Sequence, residues 1–180
     1  MALEHAILVA LSEQAGTGYE LARRLDRSTG YFWQATHQQI YRVLRRMDDA
    51  GWVSVEHIAQ STRPDKKVYT VTGTGAAELA RWLTEQAPPA ELRDELAVKI
   101  RGVTHGDRGA VLAEVERHRA HHAERLAAYQ AIELRDYPER HALKGTRLHQ
   151  FLVLRGGIAA EQSFVTWCDE VSTALRLETL

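Results

Sequence analysis

The 180-residue chain has a single cysteine, Cys168, so no internal disulfide can staple it, and no run of apolar residues approaches the length needed to cross a bilayer. The opening Met-Ala-Leu-Glu-His lacks the basic start and small-residue cleavage site of a secretory signal; a cytoplasmic location with no membrane partner is the expectation. Neither charge sign dominates. Lys and Arg number 23 and Asp and Glu 24, giving a formal net charge of −1, so a nucleic-acid partner would require positive charge concentrated locally. Phosphate-cradling glycine loops, a dinucleotide-binding glycine pattern and a nucleophile elbow are all missing, and Gly73-Thr-Gly75 and Gly156-Gly157 are too short to substitute. An enzyme reading has no residue to start from, and no cofactor is expected. His118 and His122 have the i, i+4 spacing that can ligate zinc, with His121 beside them. No cysteine or carboxylate motif completes a tetrahedral set, so they read as solvated or packing histidines rather than a metal site.

What is present is local and ordered. Leu3, Ile7, Leu8 and Leu11 mark an amphipathic first helix that stops at Ala15-Gly16. Thr17 with Glu20 three residues on is a capping box opening a second helix to about Arg27. Ser28-Thr29-Gly30 breaks it, and an aromatic cluster, Tyr31-Phe32-Trp33, follows. Thr36 and Gln39 form another capping box. It opens a third helix whose buried face is Ile40, Val43, Leu44 and Met47 and whose stop is Ala50-Gly51.

The period then changes. Trp52 to Ile58 alternates as a strand, and Val68 to Val71 reads as its partner across a polar, basic connection from Ala59 to Lys67. Three short helices followed by two strands and a basic loop describe a winged helix-turn-helix with a two-stranded wing. A further helix carries Leu79, Trp82 and Leu83. Pro88-Pro89 then sets the boundary between a DNA-binding domain, residues 1–87, and a helical domain, residues 88–180.

Beyond the prolines the chain reads as helix: Glu91 to Val103, Asp107 to about Arg135, and Thr146 to Leu177, with Pro138 and Gly145 bracketing the last loop. On the second of these, Leu112, Val115, Arg119, His122, Leu126 and Tyr129 follow 3-4 spacing. On the third, Phe151, Leu154, Ile158, Val165, Cys168 and Leu175 form a heptad seam, interrupted by Glu161 and Ser172. Two long helices with a seam and little else to pack on point to a partner chain. The fold class expected is mainly α, a winged helix-turn-helix followed by a helical dimerisation domain.

Positive charge is indeed gathered. From Gly30 to Met47 the only charged residues are Arg42, Arg45 and Arg46, and Arg63, Lys66 and Lys67 cluster at the wing, interrupted only by Asp65. The third helix is the candidate reading helix. Thr36, His37, Gln38, Gln39, Tyr41, Arg42 and Arg45 are the candidate DNA contacts, since Gln pairs with adenine and Arg with guanine through two hydrogen bonds each. Arg45 and Arg46 lie a turn further on, where a phosphate contact and an intraprotein contact are equally expected. Arg63, Lys66 and Lys67 would neutralise phosphates from the wing.

Leu3-Glu-His-Ala-Ile-Leu8, Gly18-Tyr-Glu-Leu21, Phe32-Trp33, Gln39-Ile-Tyr-Arg42, Gly51-Trp-Val53, Arg63-Pro-Asp-Lys-Lys-Val-Tyr69 and Thr72-Gly-Thr-Gly75 together resemble the PadR family of transcriptional regulators. The match runs over residues 2 to 86. Leu92-Arg-Asp-Glu-Leu96 and the helical remainder resemble, more loosely, the C-terminal domain of the longer subgroup, which includes phenolic-acid-responsive repressors. The chain departs from the family at Trp52, where leucine is common. The resemblance implies a homodimer with exchanged C-terminal helices. It also implies repression at a pseudo-palindromic operator and release by a small aromatic carboxylate. Such an effector needs an aromatic slot and a cation. Arg155 stands in an apolar run, and His122, Tyr129, His149 and Arg155 are the candidate effector residues, in a pocket between the long helices and the winged domain. The competing reading of Arg155 is an interhelical ion pair with an acid such as Glu161 or Glu124. Two functional alternatives stand beside the effector: redox sensing through Cys168, and a winged domain used for protein contacts.

Overall fold

The computed structural model describes residues 2–28, 35–59, 66–89 and 94–177, in two units, Met1–Pro88 and Pro89–Leu180. The first unit begins with α1 (Ala2–Glu13), a two-residue strand β1 (Gly16–Thr17), α2 (Gly18–Ser28) and α3 (His37–Asp49). Both expected capping boxes form. Glu20 N–H donates to Thr17 Oγ1 while Thr17 N–H donates to Glu20 Oε2, and Thr36 and Gln39 reciprocate in the same way. Gly51 ends α3 with φ +70°, a left-handed conformation that glycine adopts without a Cβ penalty.

Strands β2 (Val53–Ile58) and β3 (Lys66–Val71) pair antiparallel from Val53 opposite Val71 to Ile58 opposite Lys66. These two strands are the expected wing, and a third strand joins them in the sheet. Gly16 and Thr17 pair with Tyr69 and Val68, making a three-stranded sheet of order β1-β3-β2. A two-residue strand carries no period of its own, so only its partner defines it. The strand β3 also starts earlier than expected: Lys66 and Lys67 are β3 residues, not loop residues. Arg63, the aromatic cluster Tyr31-Phe32-Trp33 and residues 60–65 lie outside the described residues.

The core of this unit is built from apolar side chains of α1, α2, α3 and the sheet. Ile7, Leu8 and Leu11 of α1, Leu21 and Leu25 of α2, Ile40, Val43, Leu44 and Met47 of α3, and Val53 and Tyr69 of the sheet are all buried. Each such side chain contributes roughly 1.5–3 kcal/mol by leaving water. Helix α4 (Gly73–Leu83) closes the core with Leu79, whereas Leu83, grouped with it in the sequence pattern, is exposed. Buried His5 stacks on Trp82 at 4.4 Å with planes 8° apart and meets Glu78 Oε1 at 3.0 Å, joining α1 to α4.

The second unit contains α5 (Glu95–Arg101), a 3-10 turn (Val103–His105), α6 (Arg108–Asp136), a second 3-10 turn (Arg140–Ala142) and α7 (Gly145–Leu177). Asp94 and Asp107 cap α5 and α6. The expected helix from Glu91 therefore begins at Glu95, residues 90–93 being outside the described set. Arg176 pairs with Glu116, Arg119 with Asp169 and Arg155 with Glu133, so α6 and α7 run antiparallel. The α7 seam is unbroken: Leu154, Ile158, Glu161, Val165, Cys168, Ser172 and Leu175 are all buried, the two polar interruptions included. Leu96, Val115 and Cys168 pack with Ile100, Phe164, Trp167 and Val171 where α5 crosses the hairpin. Among the described residues no helix is long and apolar enough to cross a membrane.

The start of α4 is held against the turn after α3. Thr72 N–H donates to the Trp52 carbonyl (3.0 Å), and Thr72 Oγ1 donates to the Gly51 carbonyl (2.6 Å) while accepting from Gly75 N–H. A Cβ at position 75 would lie 2.1 Å from the Trp52 carbonyl oxygen, an impossible approach, whereas one at Gly73 would meet nothing within 4 Å. Gly75→Ala is therefore expected to destabilise the protein by about 1–3 kcal/mol through overpacking, with Gly73→Ala neutral or mildly stabilising. Denaturant titration of both variants measures the difference.

Candidate nucleic-acid interface

Burial of Ile40, Val43, Leu44 and Met47 turns the opposite face of α3 outward, and His37, Gln38, Gln39, Tyr41, Arg42 and Arg45 are all exposed on it. Their duties differ. The Gln39 side-chain oxygen Oε1 accepts from both Thr36 N–H (2.8 Å) and Thr36 Oγ1 (3.2 Å), so Thr36 and Gln39 are engaged in holding the helix start. Two-point pairing of Gln39 with adenine would require that box to open. Tyr41 packs over α2, where a Cβ at Gly18 would lie 2.5 Å from its ring. Arg46 binds Glu4 at 2.8 Å, the intraprotein role. Among the described residues Arg42 and Arg45 have no acid within ion-pair distance, and with Gln38 they are the uncommitted polar groups of this face.

The wing lysines also separate. Lys66 Nζ lies 3.2 Å from Glu20 Oε1, tying β3 to the first turn of α2, so this cation is partly satisfied within the fold. Lys67 is exposed and stands opposite His57. Glu20 is well suited to its role. The backbone N–H of Thr17, then its hydroxyl and Lys66, hold the Glu20 carboxyl at about pKa 2 against an ordinary 4.5.

Sequence reasoning missed two residues of α2. Tyr19 is 56% exposed, its ring 6.1 Å from that of His37 on α3, and the Arg23 guanidinium lies over Tyr19 at 5.9 Å. Their i, i+4 spacing on an exposed face was the available signal.

In the helical unit the four candidate effector residues fall into separate groups. His122 Nδ1 meets Glu161, and Arg125 binds the other Glu161 oxygen at 3.0 Å and the Tyr129 hydroxyl at 2.9 Å. His122 also stacks on Phe164 at 4.0 Å. Burial raises the Tyr129 phenol above its ordinary range. Arg155 is ion-paired, as the competing reading held, but with Glu133, which also binds Arg140; both contacts are 3.2 Å, and neither Glu161 nor Glu124 is the partner. His149 is exposed. A cavity of about 450 Å³ lies elsewhere in this unit, lined by Asp136 to Glu139, Ala142 to Lys144, and Arg147. Among the described residues no group of three His, Cys, Asp or Glu side chains is arranged to hold a metal ion.

Residues 7–81 match the PadR-like family of transcriptional regulators, and residues 92–176 match the virulence activator alpha C-terminal family. The probable transcriptional regulator Rv1176c of Mycobacterium tuberculosis is 52% identical over 98% of both chains. The chain belongs to the PadR-like family of transcriptional regulators. The negative transcriptional regulator PadR of Bacillus subtilis is 26% identical over 94% of both chains. Its structure in complex with operator DNA superposes with a TM-score of 0.85, covering 97% of this chain and 99% of that one at 25% identity. The same protein in complex with p-coumaric acid gives 0.77 at 24% identity, covering 98% and 99%. The Vibrio cholerae virulence activator AphA gives 0.82 at 28% identity, covering 98% and 99%. The winged-helix fold with a helical C-terminal unit is that of the family, and this PadR-like chain is a DNA-binding transcriptional regulator.

Two properties of this regulator are directly measurable. Cys168 is fully buried and its thiol is pushed up, first by burial and then by the Asp169 charge, which disfavours the reactive thiolate and leaves redox sensing without support. The thiol is expected to be inert to a disulfide reagent such as dithionitrobenzoate in the native protein and to react on unfolding. Glu20 and, through Arg81 and then His5, Glu78 both titrate near pKa 2 when folded and near 4.5 when unfolded. As pH falls, the unfolded chain takes up these protons first. The stability they supply is complete above about pH 5 and is lost between 4.5 and 2. Melting temperature is expected to be level from pH 7 to 5.5 and to fall below 4.5, with a shallower fall in Glu20→Gln.

Proposed function

We propose that this PadR-like regulator is a repressor that binds a pseudo-palindromic operator as a homodimer and is released by a small aromatic carboxylate. The observation that carries the DNA-binding part is the α3 face, where Gln38, Arg42 and Arg45 are exposed and uncommitted while the acids nearby, Glu4 and Glu20, are taken up by Arg46 and Lys66. Gln38 and Arg42, near the start of the helix, read base edges; His37 and Tyr41 flank them; Arg45, Lys67 and Arg63 contact phosphates. Thr36 and Gln39 act through the cap, and Lys66 shares its charge with Glu20.

Dimerisation is supported by apolar side chains that the helical unit leaves in water, among them Leu134 and Leu152 on its two long helices. Two reading helices roughly 34–36 Å apart would then meet successive major grooves. The negative sign and the aromatic effector are supported by the Bacillus subtilis relative, described as a negative regulator and solved with p-coumaric acid. Of the four candidate effector residues, Arg155 is the cation that meets the carboxylate. Its side chain is about half exposed, and Glu133 retains Arg140 when Arg155 turns away. His122, Tyr129 and His149 complete the proposed set.

Fluorescence anisotropy tests this reading, with a labelled duplex from upstream of the regulator's own gene, at two salt concentrations, followed by a panel of phenolic acids. Salt-sensitive binding that outcompetes random DNA and is lost on adding one acid is the expected result. Gln38→Ala or Arg42→Ala should remove about 1–3 kcal/mol of discrimination at one base pair each. DNA should weaken acid binding by the same factor as acid weakens DNA binding. Binding that ignores every acid would discard the effector, and no preference over random DNA would return the protein-contact alternative.

A further inference from the structure

The candidate DNA contacts belong to α3 and the wing, yet the most exposed tyrosine among the described residues of the first unit stands on α2. Tyr19 keeps 56% of its surface in water, which its apolar ring does not favour, and it lies outside the apolar core. It is not isolated. On one side its ring lies 6.1 Å from that of His37, the first residue of α3; on the other the Arg23 guanidinium covers it at 5.9 Å. The three side chains form a continuous ledge across two helices, and one end of it is a candidate reading residue.

The acid beside this ledge is already engaged. The only acid of the first α2 turn, Glu20, accepts two hydrogen bonds from Thr17 and meets Lys66. Among the described residues Arg23 meets no carboxylate; its neighbour in space is the Tyr19 ring. The next arginine, Arg24, is turned the other way, donating to the carbonyls of Ala10 and Gln14 at the end of α1. Two adjacent arginines thus have opposite assignments, one holding the fold together and one presented to solvent over an aromatic ring.

We propose that Tyr19 and Arg23 form a phosphate clamp that grips the DNA backbone beside the groove read by α3. The first helix of a helix-turn-helix crosses the backbone when the second lies in the major groove, so a guanidinium and a phenol on its outer face meet phosphate oxygens. The ring contact with His37 gives the clamp a second role, which is to fix the position of the α3 start relative to the gripped strand. Arg23 supplies the charge, and Tyr19 supplies a hydroxyl donor and the platform on which the guanidinium rests.

This inference rests on the DNA-binding reading, and one experiment separates the two. Anisotropy titrations against the operator duplex and a random duplex, each over a range of salt, are made for the intact regulator and for Arg23→Ala, Arg23→Lys, Tyr19→Phe and Gln38→Ala. Arg23→Ala should weaken binding to both duplexes by a similar factor and lower the slope of log affinity against log salt by about one per protomer. Arg23→Lys should restore the slope, because a point charge serves a phosphate, and Tyr19→Phe should weaken both duplexes with the slope retained. Gln38→Ala should lose operator preference with no change of slope. An unchanged slope and unchanged random-duplex affinity in Arg23→Ala, with the intact protein binding in a salt-dependent way, overturns the clamp and leaves the DNA-binding reading standing. Absence of salt-dependent binding by the intact protein overturns both. Matching thermal melts of the variants, expected because both side chains are exposed, tie any loss to the interface.

Discussion

The α3 face proposed to read DNA is aimed by the complete burial of one stripe of that helix. Ile40, Val43, Leu44 and Met47 are each under 5% exposed. A helix held by four such side chains cannot roll about its axis without lifting apolar surface into water. The polar face is therefore aimed as firmly as the core is packed. The capping box fixes the other degree of freedom, the point at which the helix starts, by engaging Thr36 and Gln39 on each other. The cap and the stripe together set where Gln38 and Arg42 stand.

A net charge of −1 is compatible with DNA binding because the fold distributes its charges unevenly. Near the proposed reading face, Glu4 binds Arg46, and Glu20 binds Thr17 and Lys66. The partnered arginine and lysine lose some capacity to hold phosphate, but the acids they neutralise no longer repel it. The arginines left over, Arg23, Arg42 and Arg45, lie on the outward surface of α2 and α3. In the helical unit the same device is turned inward: Glu161 and Glu133 sit within the α6–α7 packing and each is met by two cationic or imidazole groups. A buried acid is tolerated only with such partners. These pairs also pin the register of two long helices whose apolar seam alone would permit sliding.

Local signals are enough to place most helices. The capping boxes at Thr17 and Thr36, the Gly51 stop and the Pro88-Pro89 break all involve residues within a few positions of one another, and such interactions form wherever the sequence occurs. The α7 heptad is equally legible, yet Glu161 and Ser172 read as interruptions because polarity alone does not show whether a buried partner exists. Strand β1 escapes notice for a related reason: two residues have no periodicity, and their strand character is conferred by Tyr69 and Val68, far along the chain. Lys66 reads as a phosphate contact because its charge is visible in the sequence and its approach to Glu20 is not.

The sequence by itself determined most of the helices, the two strands of the wing and the apolar faces that form the core. Those properties follow from short-range backbone preferences and hydrophobic period. Only the tertiary structure decided how each charged or polar side chain is employed: Arg24 on the end of α1, Arg23 over Tyr19, Arg46 on Glu4, Arg155 on Glu133, and Gly75 against the Trp52 carbonyl. The reason is range. Apolar burial is non-directional and summed over many residues, so its pattern survives in one dimension. An ion pair or a close backbone approach requires two particular groups to come within a few ångströms, and that proximity is created by the fold.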